Sequence, residues 1–153
     1  MQQFLDMIAG IRGRIPGFNF TTDILVGFPG ETDKQFEETA VLAEQVGFSH
    51  VHTFEYSIRN GTRAARMDDQ MSEAVKTARS ARIREISDAN KRRYYQSLVG
   101  GTQRVLVEKI SAGQASGYGQ HYVPIAVPSA GLSVNQYVDA ERASCRTDGE
   151  PLL

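Results

Sequence analysis

A short apolar run followed by a turn, a helix cap and an amphipathic stretch constrains the fold of this chain more than any other feature. Residues 24–26 are continuously apolar, which is typical of a strand buried on both faces in a parallel sheet. Thr32 is a favourable N-cap and Gln35 follows three residues later, so a capping box predicts a helix over residues 33–45. Gly47 is of the residue type that commonly closes a helix. The segment therefore predicts a strand–turn–helix unit of an α/β fold.

The flanking elements extend this unit into an alternating pattern. Apolar residues recur at helical spacing over residues 3–12, and a second β-rich run occupies residues 50–56. The order helix, strand, helix, strand is the pattern of a parallel sheet. One long helix is then predicted over residues 72–98. Its predicted inner face consists of the apolar residues Val75, Ala78, Ile86 and Ala89.

The character of the sequence changes after Gly100 and Gly101, which end the long helix. Short β-rich runs follow at residues 103–110, 118–127 and 133–140, and glycine and proline residues separate them. Short strands with closely spaced turn signals favour a small antiparallel β-barrel. We therefore expect a domain boundary near residue 100.

Composition limits the function classes that remain. The chain has 153 residues, of which 41% are hydrophobic and 23% charged, an ordinary balance for a globular protein. A single cysteine, Cys145, forms no internal disulfide and cannot hold an iron–sulfur cluster or a structural zinc by itself. No apolar run approaches the roughly 20 residues that span a bilayer, and the N-terminus shows no signal-peptide pattern. We therefore expect a cytoplasmic protein that contacts no membrane and has no metal site of its own.

The positive charge of the chain is concentrated in its middle. Residues 71–110 carry nine Lys or Arg and four Asp or Glu, whereas the whole chain has a net charge of −1. A basic segment of this kind can bind the phosphates of a nucleic acid, because that binding releases counterions. A solvated basic helix has the same charge, so the pattern leaves both interpretations open.

The loop VGFPGET, residues 26–32, is the strongest candidate for a ligand site. In α/β folds, ligands bind at the carboxyl ends of parallel strands, where this loop begins. Gly27 and Gly30 allow a flat ligand to approach the backbone closely, although a tight turn that needs positive φ has the same composition. Phe54 and Tyr56 share one face of the next strand, where they can pack a purine or fill the core. The glycine spacing excludes a dinucleotide or P-loop fingerprint.

A second candidate site combines basic and aromatic residues near and within the C-terminal region. Small β-barrels present such residues to RNA, with phosphates paired to Lys or Arg and unpaired bases stacked on rings. The candidates for phosphate contacts are Lys91, Arg92, Arg93, Arg104 and Lys109. The candidates for base stacking are His121 and Tyr122.

Three separated segments, in order along the chain, carry a family resemblance. They read TDILVGFPGET, HTFEYSIRNGTRAARMDDQ and SDANKRRYYQSLVGGTQRVLVE. Together they resemble the radical S-adenosylmethionine (SAM) methylthiotransferases, and the match covers nearly the whole chain. The segment GYGQHYVPIAV, residues 117–127, is most similar to the branch that acts on threonylcarbamoyladenosine in tRNA. Sister branches act on isopentenyladenosine in tRNA or on an aspartate of a ribosomal protein.

The resemblance implies a fold and a division of the chain. Residues 1–70 would form the C-terminal half of a radical-SAM α/β partial barrel of the TIM type, and residues 71–99 a connecting basic helix. Residues 100–147 would form a TRAM domain, a small OB-like antiparallel β-barrel, followed by a frayed tail at residues 148–153. The uncovered face of this α/β part, residues 1–70, is expected to support a dimer.

The resemblance also implies cofactors and their sites. The family's CxxxCxxC motif and the three cysteines of its second cluster are absent, so SAM and two 4Fe–4S clusters are expected in a longer parent protein. Within the chain, Val26, Gly27 and Phe28 would back the adenine of SAM, and Phe54 and Tyr56 would help to close that pocket. We therefore expect a fragment that has no catalytic residue, binds no cofactor alone and is inactive by itself.

The function that the resemblance implies is tRNA modification. The parent enzyme would add a methylthio group to threonylcarbamoyladenosine next to the anticodon, through SAM radical chemistry. This chain would supply part of the SAM pocket and a barrel that binds the anticodon stem-loop. The alternatives are a sister-branch methylthiotransferase and a stand-alone RNA-binding module without catalysis.

Overall fold

A computed structural model describes residues 2–141, and it divides them into two compact units. The central unit comprises residues 20–91, and the flanking unit comprises the described parts of residues 1–19 and 92–153. Cys145 and the expected frayed tail lie outside the described residues. No helix in the described part of the chain is long and apolar enough to cross a membrane. The helices are α1 (Gln2–Arg14), α2 (Asp33–Val46) and α3 (Glu73–Ser97), and the strands are β1 (Thr21–Val26), β2 (His50–Glu55), β3 (Thr102–Ser111), β4 (Gln114–Gly119), β5 (Pro124–Pro128) and β6 (Tyr137–Glu141).

The central unit contains the strand–turn–helix element that the sequence predicts. Strands β1 and β2 pair in parallel, from Thr21 opposite His50 to Val26 opposite Glu55. The capping box at the start of α2 is confirmed, because the Gln35 amide donates to the Thr32 hydroxyl and the Thr32 amide donates to the Gln35 side chain. Gly47 closes α2 in the left-handed conformation, with φ of +64°.

One face of the β1–β2 sheet packs against helices and the other is open to solvent. Val26 on β1 and Val51 on β2 are buried, and α2 contributes Ala40, Ala43 and Val46 to the same core. The prediction that residues 24–26 are buried on both faces is wrong, because Leu25 is 48% exposed on the open face. The apolar run therefore belongs to a sheet that, in the described residues, is covered on one side only.

The buried stripe of α3 differs from the predicted one. Of the four predicted residues, Ile86 is buried, Ala89 is half-buried, and Val75 and Ala78 are exposed. The buried positions recur every three or four residues and are mostly polar. Asn90 donates to the Ala43 carbonyl at 3.0 Å, and the Ser87 hydroxyl accepts from the Val51 amide at 3.0 Å. An apolar pattern does not predict this stripe, because its polar side chains form hydrogen bonds inside the core. The buried residues of this stripe are Lys76, Arg79, Ser80, Ile83, Ile86, Ser87 and Asn90.

The flanking unit contains an antiparallel sheet with the strand order β5-β4-β3-β6. The sheet is a curled half-barrel of four strands, which is compatible with the expected TRAM-like domain. Its inner face holds the cluster of Val105, Ile125 and Ala140, with Val127 and Val138 packed against them. Between Val107 and Lys109 the β3–β4 register shifts by a bulge.

Two of the three strands predicted in the C-terminal region are wrong in extent. The run at 118–127 is two strands, because the chain reverses after Gly119, whose amide donates to the Val123 carbonyl at 2.9 Å. Strand β4 begins earlier, at Gln114. The small residues of this stretch are typical of a turn, so the sequence does not indicate a strand there. Its Gly117 is required by close strand approach, because a Cβ there would overlap the Leu106 carbonyl. The run at 133–140 becomes a strand only from Tyr137.

Candidate functional site

The carboxyl ends of β1 and β2 meet at one edge of the central unit. Parallel register brings Val26 opposite Glu55, and the chain continues the pairing with a hydrogen bond of 2.9 Å from the Tyr56 amide to the Val26 carbonyl. The loop VGFPGET leaves β1 at this edge and leads into α2. The structure therefore brings four of the five predicted SAM-contacting residues, Val26, Gly27, Phe28 and Tyr56, to one edge.

Gly27 occupies a position that its neighbours fill. Its φ is +72°, and a Cβ there would overlap the alkyl chain of Lys76. Its amide donates to the Glu31 carboxylate at 2.7 Å. Gly30 also has a positive φ, and its amide donates to the Asp69 carbonyl at 3.0 Å. At Gly27 the tight turn therefore has a cause within the chain, which is the packing of Lys76 across the loop.

Two buried basic residues of α3, Lys76 and Arg79, hold this loop, and neither is among the site residues that the sequence predicts. Lys76 donates from Nζ to the Tyr56 carbonyl at 3.1 Å and pairs with Glu73. Their charges are therefore used inside the central unit. The missed signal is their spacing, three residues apart on the helix face that continues through Ile83.

Arg79 connects the end of the loop to the start of α2. Its guanidinium donates to the Glu31 carboxylate at 2.6 Å, to the Glu31 carbonyl at 3.0 Å and to the Asp33 carboxylate at 2.7 Å. The same guanidinium lies 5.1 Å from the centre of the Phe36 ring. Charge-assisted bonds from one planar group thus fix the turn and the first residue of α2 together.

The aromatic residues at the edge fall into two environments. Phe28 meets Tyr56 edge to face, with ring centres 5.4 Å apart, and Phe28 is partly exposed. The hydroxyl of Tyr56 is buried, and no hydrogen-bond partner for it lies among the described residues. Phe54 instead stands on the open sheet face opposite Leu25 and is 51% exposed. Phe54 is thus exposed whereas Tyr56, beyond the end of β2, is buried, so the two rings do not share one environment.

The open sheet face also carries two histidines. His50 and His52 lie with ring centres 4.4 Å apart, and Asp23 is the register partner of His52. Partial burial lowers the pKa of His50, and the positive charges of His52 and Lys91 lower it further against the opposing effect of Asp88. The described residues contain no group of three or more His, Cys, Asp or Glu side chains that can hold a metal ion.

The residues predicted to contact RNA are spread over both units. Lys91 belongs to the central unit, and the other six belong to the flanking unit. Arg104 pairs with Asp139 at 3.3 Å. Lys109 lies five residues further along β3, which is roughly 16 Å in an extended strand. These two residues therefore lie towards opposite ends of one strand.

His121 and Tyr122 lie in the turn between β4 and β5 but face different surroundings. The ring of His121 lies against Gly17, and its carbonyl accepts from the Asn19 side chain at 2.7 Å. Tyr122 is exposed and stacks on Tyr118, with ring centres 4.6 Å apart and an interplanar angle of 14°. Tyr122 is thus the more accessible ring of the two predicted for base stacking.

Most of the chain is similar to tRNA-modifying enzymes. It is 33% identical over 147 residues to a threonylcarbamoyladenosine tRNA methylthiotransferase of Chlamydia pneumoniae. The matched residues make up 95% of the chain and 35% of that relative. It is 41% identical over 126 residues to a tRNA-2-methylthio-N(6)-dimethylallyladenosine synthase of Bartonella bacilliformis, which covers 81% of the chain and 28% of the relative. A threonylcarbamoyladenosine tRNA methylthiotransferase of Thermotoga maritima is 40% identical over 124 residues, or 80% of the chain and 29% of the relative.

The chain matches only part of each of these relatives. The chain spans about a third of the length of the curated relatives it matches, between 28% and 35% for the three named above. No family model matches the chain.

Proposed function

With tRNA methylthiotransferases as its homologues, we propose that this chain carries one part of an enzyme that adds a methylthio group to a modified adenosine of tRNA. The similarity at 33% identity over 95% of the chain carries this proposal. The matched region includes both the loop after β1 and the half-barrel of the flanking unit. The proposed activity belongs to a whole parent protein, since the relatives are about three times as long as this chain.

The edge at the ends of β1 and β2 is the proposed wall of the SAM pocket. Val26 and Gly27 supply backbone, the partly exposed ring of Phe28 supplies a surface for the adenine, and the unpartnered hydroxyl of Tyr56 supplies a polar group. Phe54, on the neighbouring open face, borders this edge. These residues would hold SAM, position it and exclude water, and SAM would supply the radical chemistry when bound in the parent protein. In this proposal β1 and β2 with their helices are part of a barrel of the TIM type.

The chain does not supply the ligands of the two proposed 4Fe–4S clusters. Such clusters are held by several cysteine thiolates, whereas the chain has one cysteine. We therefore derive no step of the reaction through a cluster, and we propose that the clusters are bound elsewhere in the parent protein. On this proposal the chain alone transfers no methylthio group.

The proposed substrate is threonylcarbamoyladenosine next to the anticodon. The resemblance of residues 117–127 supports this choice, as does a relative of that name that matches 95% of the chain. Relatives named for dimethylallyladenosine match with 39–42% identity, so the two substrates must be separated by experiment.

Analysis of tRNA nucleosides tests the proposed function. The reading frame that encodes this chain is deleted, and the tRNA is digested to nucleosides and analysed by mass spectrometry. We expect loss of 2-methylthio-threonylcarbamoyladenosine and retention of 2-methylthio-dimethylallyladenosine. Loss of the second nucleoside alone would move the chain to the sister branch, and no change in either would contradict the function.

The flanking unit is the proposed tRNA-binding part, with the anticodon stem-loop as its partner. If Arg104 and Lys109 contact phosphates, binding must weaken with salt, with a log–log slope of about 0.7–0.9 per neutralised phosphate. A gel-shift titration of tRNA against the chain at two salt concentrations measures this slope. Exchange of both residues for glutamate should abolish binding, while the same exchange of Arg12 and Arg14 in α1 should leave it nearly unchanged.

A further inference from the structure

The outer face of the half-barrel carries a row of side chains to which the proposed function gives no role. The strand register places Pro124, Tyr118, Leu106 and Tyr137 side by side across β5, β4, β3 and β6. Tyr118 is 40% and Tyr137 is 65% exposed, whereas the opposite face holds the buried cluster around Val105. This row is therefore apolar and aromatic where solvent reaches it.

Tyr122 extends the row from the turn between β4 and β5. Its ring lies nearly parallel to that of Tyr118, and 72% of the residue is exposed. Its backbone holds a φ of +55°, and its amide donates to the Gly119 carbonyl at 2.8 Å. Three-residue hairpin loops normally place glycine at such a left-handed position. A tyrosine there is strained, and it keeps one face of its ring in solvent.

The charges of this region do not explain the aromatic row. Arg104 on the same face is paired with Asp139 of β6, and Lys109 lies beyond the bulge of β3. A surface that recognises phosphate alone needs unpaired cations rather than stacked rings. Base stacking needs flat, exposed aromatic faces and works with any nucleobase.

We propose that the parallel pair of Tyr118 and Tyr122 is a stacking platform for one unpaired nucleobase of RNA, a proposal that rests on the tRNA partner proposed above. The ring of Tyr118 covers one face of the Tyr122 ring, and the other face of Tyr122, in solvent, receives the base. Bases inside an RNA duplex are already stacked on each other, so the platform selects single-stranded loops. Tyr137, in the same row, borders the neighbouring nucleotide.

Two substitutions at one position separate a ligand-binding ring from a structural ring. Tyr122→Gly removes the ring and relieves the left-handed backbone, while Tyr122→Phe keeps the ring as a matched control. The full chain is titrated with a labelled adenine octaribonucleotide, an RNA duplex of equal length and tRNA. Thermal unfolding of each variant is followed by circular dichroism.

The expected result is a selective loss of single-strand binding. Tyr122→Gly should weaken binding of the octaribonucleotide by about ten-fold or more, with a melting temperature equal to or above that of the wild type. Tyr122→Phe should bind as the wild type does, and both of these proteins should bind duplex more weakly than single strand, whereas Tyr122→Gly should lose that preference. Tyr122→Asn, which tolerates the left-handed backbone without a large ring, should repeat the loss seen with glycine.

The opposite results have distinct meanings. Equal affinity of the wild type and Tyr122→Gly for the octaribonucleotide overturns the platform, and so does a preference for duplex. If tRNA still binds in those cases, the proposed tRNA partner stands without the platform. If the wild type binds neither the octaribonucleotide nor tRNA, both proposals fall.

Discussion

Residues in the loop after β1 owe their identity to side chains that cross the loop from α3. Gly27 leaves room for the alkyl chain of Lys76, and Lys76 in turn bonds the carbonyl of Tyr56. The composition of the loop was compatible with a ligand or with a tight turn. The contact that requires glycine at position 27 involves a helix that follows nearly fifty residues later, so the loop's own sequence could not reveal it.

Substitution of the two loop glycines tests this packing. Gly27→Ala should lower the free energy of unfolding by about 1–2 kcal/mol for the left-handed backbone and by about 1–3 kcal/mol more for crowding against Lys76. Gly30→Ala is the matched control, because its φ is also positive but its nearest neighbour, the Asp69 carboxylate, lies 3.8 Å from the added Cβ. Urea unfolding measures both variants, and equal losses would contradict the crowding.

Protonation of His50 should make the central unit less stable in acid. The pKa of His50 lies below its usual 6.5, first because of partial burial and then because of the charges of His52 and Lys91. The unfolded chain therefore binds this proton more readily, so stability is full above pH 6.5 and falls as the pH drops through the lowered folded-state pKa. His50→Gln should flatten this part of the stability profile, and an NMR titration of His50 with a midpoint above 6.5 would contradict it.

Helices and strands differ in how far the sequence predicts them. The start and end of α2 follow from Thr32, Gln35 and Gly47, which act on neighbouring backbone groups. The buried face of α3 does not follow from such local signals, because Arg79 finds its carboxylate partner Glu31 at a separation of 48 residues. Strand β4 was misplaced for a related reason, since Gly117 is set by contact with β3 and not by a turn. Helix caps can thus be predicted from neighbouring residues, whereas the burial of a polar side chain can be predicted only when its distant hydrogen-bond partner is known.

Removal of Arg79 should test the link between α3 and the loop. Arg79→Ala leaves the largely buried Glu31 carboxylate without its cation, and we expect a loss of about 3 kcal/mol in the free energy of unfolding. Arg79→Lys should recover only part of this loss, because an ammonium cannot reproduce the planar fork. Arg82→Ala is the control on the same helix, where an exposed side chain should change stability by no more than about 0.5 kcal/mol.

At the scale of the whole molecule, the open face of the β1–β2 sheet is the feature with the clearest consequence for association. Leu25 and Phe54 lie opposite each other on that face and are about half exposed. Exposed apolar side chains on one sheet face are available for association with a second copy of the chain. The expected dimer therefore has a defined surface on which it can be tested.

Charge placed on the open face should prevent self-association. Leu25→Lys with Phe54→Lys should convert a concentration-dependent dimer to a monomer, because two buried ammonium groups would oppose each other. Val41→Lys, on α2 and 38% exposed, is the control and should leave association unchanged. Sedimentation velocity over a range of concentrations measures the result, and a wild type that is monomeric throughout would contradict the dimer.

The division of the chain into units has a consequence for the order of its synthesis. The central unit is one continuous stretch, whereas the flanking unit combines residues before position 20 with residues after position 91. Within the flanking unit, Tyr94 donates to the Gly17 carbonyl and Asn19 donates to the His121 carbonyl. Residues 17 and 19 therefore form these hydrogen bonds only after residues 94 and 121 have been synthesised. On the ribosome, the central unit can therefore fold while α1 is still without its partners. Until residues after position 91 emerge, the apolar side chains of α1, such as Phe4 and Met7, would be available to chaperones that bind nascent chains.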